Sequence, residues 1–240
     1  SKEWDNAVAF YVGSMEGVLA GGRADSHGEW MYALGNEFCR EFNSCKTSGE
    51  AAVNEQLIFQ FSSGRDSLVD GECNYLTSLV PDKIIPYLLI LLIQGTISYS
   101  IKIDNGSADR ESAATAHILA QAILAQGSLD ANSANKLSTT FASLSSSLTS
   151  PVASDIVGSF SNSLNSLGIS CEDIGSPMGY DLCSSTSNNA NDVVVVADNP
   201  TNLGDNLYVT TTSVEDRASI ALDIRSEEHT SELQSHSDLV

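Results

Sequence analysis

Pro81-Asp82-Lys83-Ile84-Ile85-Pro86-Tyr87-Leu88-Leu89-Ile90-Leu91-Leu92-Ile93-Gln94-Gly95-Thr96-Ile97-Ser98-Tyr99, continuing to Ile103, is the stretch whose reading decides the fold. Its strongest apolar run, Ile84 to Ile93, is ten residues and contains Pro86. A bilayer needs about 20 apolar residues, so the run reads as the central core helix and no membrane span is expected in the chain. Proline is well tolerated in a first helical turn, and Pro86 is expected to kink the helix. Tyr87, Gln94 and Ser98 follow one another at spacings of seven and four and so share a face, while leucines and isoleucines cover most of the rest. Polar groups on such a helix need partners. Two arrangements supply them: an interhelical hydrogen-bond network that fixes packing, or a polar cavity around Gln94 and Ser98, the usual place for a metal site in a bundle.

Outward from this segment the apolar periodicity predicts six further helices. They span about Glu3 to Leu19, Trp30 to Phe42, Ala51 to Val69, Ala108 to Gln126, Asn132 to Leu148 and Pro151 to Leu167, with the core helix at Pro81 to Ile103. Short connections and almost no strand signal predict an all-α fold, an antiparallel multi-helix bundle with disulfide-closed loops and a polar C-terminal linker. Residues 1–183 form the expected module. Residues 184–224 read as linker and the start of a further module, with Val193 to Val196 the only hint of a strand. Residues 225–240 resemble the in-frame translation of a sequencing-library adapter and are not expected to pack. The chain opens at Ser1 without a methionine, so it is expected to be a piece of a longer protein, with any signal or anchor outside it.

The chain has 31 acids against 11 bases, a net charge of −20, and without the adapter-like tail 27 against 10, or −17. Nucleic acid is excluded as a natural partner of such a surface; cations and basic partners suit it. The five cysteines, Cys39, Cys45, Cys73, Cys171 and Cys183, contain no Cys-x-x-Cys pair of the zinc or redox kind, so disulfides are expected. Cys45 lies within reach of Cys73 or Cys39, and Cys171 with Cys183 closes a short loop containing Pro177. The fifth cysteine is left as a free thiol or pairs outside the chain. Asn105-Gly106-Ser107 matches an N-glycosylation acceptor in a turn, a match that also arises by chance. No Gly-rich phosphate loop, Gly-x-Ser-x-Gly elbow, His-Glu-x-x-His or Glu-x-x-His pair is present, so the sequence supports no enzyme.

The opening segment Trp4-Asp5-Asn6-Ala7-Val8-Ala9-Phe10-Tyr11-Val12-Gly13-Ser14-Met15-Glu16-Gly17 places Trp4, Val8, Tyr11, Met15 and Leu19 on one side of a helix, with Asp5 and Glu16 at nearly one azimuth on its edge. Together with a cysteine pair and Leu92-Ile93-Gln94-Gly95-Thr96-Ile97-Ser98-Tyr99, this segment resembles the low-iron-inducible periplasmic proteins of algae, a family that includes the diatom phytotransferrins. The resemblance covers about Trp4 to Cys171. It implies a non-enzymatic protein of iron uptake, extracellular, cell-surface or periplasmic, binding ferric iron (Fe3+) with carbonate and working beside cell-surface partners. The positions matching its motifs are Trp4, Asp5, Tyr11, Glu16, Gln94, Tyr99 and Glu111, with Ser112 standing where the family pattern has glycine. Ferric iron is a hard cation that takes carboxylate and phenolate oxygens. Asp5, Tyr11, Glu16 and Glu111 are therefore the expected metal donors, with Tyr87, Tyr99 and His117 behind them. Eleven residues of helix separate Asp5 from Glu16 by about 16 Å, so only one of the two can ligate a given ion, and Glu16, next to Gly17 and beside the Gly21-Gly22 loop, is the expected one. The competing reading is a helical module with a structural or protein-interaction role and no metal site, in which the same residues hold the bundle together.

Overall fold

The computed structural model describes residues 2–13, 31–108, 110–127, 129–144, 152–177 and 179–183. Within them the fold is all-α, built from α1 (Lys2–Val12), α2 (Met31–Phe42), α3 (Ala52–Val69), α4 (Cys73–Leu79), α5 (Ile85–Asp104), α6 (Arg110–Ala125), α7 (Ala131–Leu144), α8 (Ala153–Ser163) and the short α9 (Cys171–Ile174). The only β feature among the described residues is an isolated bridge between Cys45 and Ala51. Glu16, Val193 to Val196 and residues 184–240 lie outside the described residues.

α5 is the centre of the bundle, as its composition requires. Leu89, Ile90, Leu91, Ile93, Ile97 and Ile103 are buried along it, and it packs against α2, α3, α6, α8 and α9. Close approach depends on Gly95, where an added Cβ would lie 2.7 Å from Leu119 of α6 and 2.9 Å from Phe38 of α2. The helix begins earlier than the sequence predicts. From Cys73 to Asp104 the chain is helical throughout, with a π turn at Val80–Ile84 between α4 and α5. Two prolines explain the turn: Pro81 and Pro86 donate no backbone hydrogen bond, and the wider i→i+5 pattern absorbs the break, with the Ile85 amide donating to the Val80 carbonyl. The resulting 32 residues are long and apolar enough to cross a membrane by length and composition, which corrects the shorter estimate. Two thirds of the most apolar window is buried within the protein, as in the central helix of a bundle.

The first helix is also corrected. It ends at Val12, not near Leu19, because Gly13 adopts a left-handed conformation (φ 71°) and its amide closes the last turn on the Ala9 carbonyl at 2.7 Å. That is an αL cap, which glycine adopts without steric penalty.

The disulfides are Cys39–Cys45 and Cys171–Cys183, and Cys73 is free and exposed. The segment from Cys171 to Cys183 packs on the bundle: Ile174 and Leu182 are fully buried, and the Ser176 amide donates to the Phe42 carbonyl at 3.0 Å.

Candidate functional site

The residues singled out in the sequence fall into four separate neighbourhoods. On α1, Asp5 is fully buried, and beside it Asn6 is buried with a side-chain carbonyl that has no hydrogen-bond partner among the described residues. A carboxylate withdrawn from water must be compensated, and Asp5 already has an interaction within the protein. On the other side of the same helix Tyr11 is buried against Phe61 and Tyr32, and its hydroxyl donates to Asn54 Oδ1 at 2.5 Å. Asn54 in turn donates to the Tyr32 carbonyl at 2.7 Å and to Asn36 Oδ1 at 3.0 Å. Burial, with a smaller contribution from Tyr32, pushes the Tyr11 hydroxyl well above its ordinary pKa. To become a ferric phenolate, Tyr11 would have to lose both its Asn54 bond and a proton that burial retains.

The second neighbourhood is the seam where α5 meets α9 and the end of α2. Gln94 is fully buried, and its amide nitrogen donates to Ser44 Oγ at 3.0 Å and to the Ile174 carbonyl at 2.7 Å. One side chain of the core helix thus ties together the two disulfide-closed segments, since Ser44 precedes Cys45 and Ile174 follows Cys171. Gln94 Oε1 is buried without a partner among the described residues. Tyr87, two turns away on the same face, lines a small cleft with Asp82, Lys83, Gly168 and Asp173; its volume, about 20 Å³, suits one water. Partial burial and then the Asp173 carboxylate raise the Tyr87 pKa.

One turn beyond Gln94, Ser98 donates to the Glu41 carboxylate, and Glu41 pairs with Lys102 at 3.5 Å. Lys102 also stands over the Tyr99 ring at 4.8 Å, and that ring meets Phe38 edge-on. On the shared face, Gln94 and Ser98 therefore bond to neighbouring segments while Tyr87 lines the cleft. The fourth neighbourhood is α6, where the His117 ring stacks on Phe141 of α7 and lies 3.1 Å from Gln121 Nε2. Glu111 sits exposed in the first turn, where the helix dipole favours a carboxylate.

Among the described residues no three His, Cys, Asp or Glu side chains come together in a way that could hold a metal ion. Sequence periodicity could place each candidate on a face but not reveal its partner. The residues it missed are the partners themselves: Asn54 and Asn36 around Tyr11, Glu41 beneath Ser98, and Asn6 beside Asp5. All are polar residues within otherwise apolar helical stripes, the one sequence signal that could have found them. No family model, no curated protein and no solved structure matches this chain.

Proposed function

We propose that this chain is a non-enzymatic module that captures ferric iron outside the cytoplasm, at an algal cell surface or in a periplasm, with carbonate as synergistic anion, and that the metal is held at α1. The observation that carries this reading is the buried carboxylate of Asp5 next to the buried, unbonded carbonyl oxygen of Asn6. Both are hard oxygen donors of the kind ferric iron takes. Asp5 supplies the negative charge; because α1 ends at Val12, the 16 Å separation of a continuous helix no longer keeps Glu16 from the same ion, and Glu16 is the proposed further carboxylate. The resemblance of that segment to the algal iron-uptake proteins supports the choice of metal. Two disulfides support an oxidising compartment. Tyr11, Gln94, Ser98, Tyr99 and His117 have packing roles in this reading, and Tyr87 and Glu111 lie outside the site.

A second reading has an observation of its own. Tyr11, Gln94, Ser98, Tyr99 and His117 are each engaged by a neighbour within the bundle, which favours a module whose work is structural or protein-binding. Metal analysis separates the two. The full chain, titrated with ferric ion presented on a weak carboxylate chelate, is expected to take up iron in a fixed ratio, and more tightly with bicarbonate than without. A chain that leaves the iron on the chelate under both conditions supports the second reading and overturns the first.

A further inference from the structure

The turn between α5 and α6 carries Asn105-Gly106-Ser107, the single Asn-x-Ser/Thr triplet with a non-proline centre in the 240 residues. Its backbone forms a Schellman cap on α5. The Ser107 amide donates to the Lys102 carbonyl at 3.0 Å, the Gly106 amide to the Ile103 carbonyl at 3.0 Å, and Gly106 is left-handed (φ 69°). This cap accounts for Gly106, and the Ser107 hydroxyl donates to the same Lys102 carbonyl at 3.1 Å. It does not account for Asn105, which contributes only its backbone: its amide donates to the Ile101 carbonyl at 3.0 Å, while its exposed side chain bonds to nothing described. The flanking residues are fixed independently. Asp104, immediately before, uses both carboxylate oxygens to accept the first amides of α8, from Val152 at 2.6 Å and Ala153 at 2.9 Å. The turn is thus held from its two sides with the Asn105 side chain left over at the surface.

We propose that Asn105 is a site of N-linked glycosylation. The donor class is a lipid-diphosphate-linked oligosaccharide. The Asn105 side-chain nitrogen forms a bond to C1 of the first sugar, the bond from C1 to the diphosphate breaks with its electron pair leaving on the lipid diphosphate, and the amide gives up one proton; nothing is oxidised or reduced. The two disulfides place the chain in the kind of compartment where this transfer occurs. A glycan at this point projects from an exposed helix end and displaces no packed side chain, so the finished fold accommodates it.

The test is translation of the full chain, behind a cleavable secretory leader, in the presence of endoplasmic-reticulum microsomes, reading only the protease-protected fraction. The expected result is a single upward step in mass that peptide-N-glycosidase removes, leaving aspartate where Asn105 stood. Asn105→Gln and Ser107→Ala should each abolish the step, and Ser107→Thr should keep it. Two independent abolishing variants guard against misfolding of either one, since the step is added to the incoming chain. A protected wild-type chain of unshifted mass, or a step that survives both Asn105→Gln and Ser107→Ala, would overturn the proposal.

Discussion

At Gly64 an added Cβ would stand 2.1 Å from Trp4 Cζ2, so the ring of α1 lies directly on the backbone of α3. Trp4 is fixed there by its indole N–H, which donates to the Phe61 carbonyl at 2.9 Å, and by edge-on contact with the Phe61 ring. Gly64→Ala should therefore destabilise the fold by about 1–3 kcal/mol, the usual cost of overpacking a filled site. Gly158, inside α8, has nothing within 4 Å of its added Cβ among the described residues. The same substitution there should stabilise by about 0.5–1 kcal/mol, because alanine loses less backbone entropy in a helix. Urea midpoints of the two variants should move in opposite directions; shifts of the same sign would mean that the packing of α1 on α3 is misplaced. Tyr11→Phe leaves Asn54 Oδ1 without its donor and should cost about 1–3 kcal/mol. These contacts show why Tyr11 was misleading in the sequence: an aromatic with a hydroxyl on a buried stripe looks the same whether its partner is a metal or an amide 43 residues away.

Helix ends determine how the elements meet. Asp130 caps α7: one carboxylate oxygen accepts the amides of Asn132 and Ser133, both at 3.0 Å, and the other accepts the Ser163 hydroxyl of α8 at 2.7 Å. These bonds, those from Ser133 first, hold its pKa far below the usual carboxylate range. A lowered folded-state pKa means that the unfolded chain binds the proton more readily. The contribution of Asp130 is therefore complete above the ordinary carboxylate pKa, about 4, and is lost as pH falls below it. Between pH 5 and pH 2.5 the wild type should lose more stability than Asp130→Asn, read as the change in urea midpoint. Parallel curves would show that the cap is not formed. Gln94 acts between elements in the same way, and Gln94→Leu should cost about 1–3 kcal/mol while raising hydrogen exchange around Ile174 and Ser44. Unchanged exchange at both segments would count against the clasp. The helices themselves were legible because apolar spacing follows the period of the helix: α3 and α6 fall within two residues of their predicted ends. The end of α1 was not, because the helical spacing of Val8, Tyr11, Met15 and Leu19 continues past Gly13, whose left-handed turn depends on its own φ. Nor was the π turn, which arises from two prolines acting together.

Over the whole molecule, a bundle around α5 is tied midway along that helix by Gln94, which joins the two disulfide-closed segments, and the full sequence carries a net charge of −20. The fold class and the Cys171–Cys183 loop could be read in advance because both rest on local pattern and short spacing. The choice of Cys39 over Cys73 for Cys45 could not, since it depends on the chain reversing after Phe42 so that Cys45 lies beside Ala51. A binding site is harder still, because donors converge only through tertiary packing, and of the expected donors the structure leaves Asp5 buried beside an unbonded acceptor. The claim that α1 holds ferric iron is tested most directly by ferric titration of the wild-type chain, Asp5→Asn, Glu16→Gln and Glu111→Gln, each with bicarbonate and with helicity checked. Both substitutions in the opening segment keep size and remove charge. They should weaken ferric binding by about tenfold or more, the order expected for losing a metal interaction or its support, while Glu111→Gln binds as the wild type does. Wild-type affinity in Asp5→Asn, or a wild-type chain that takes up no iron, would contradict the account.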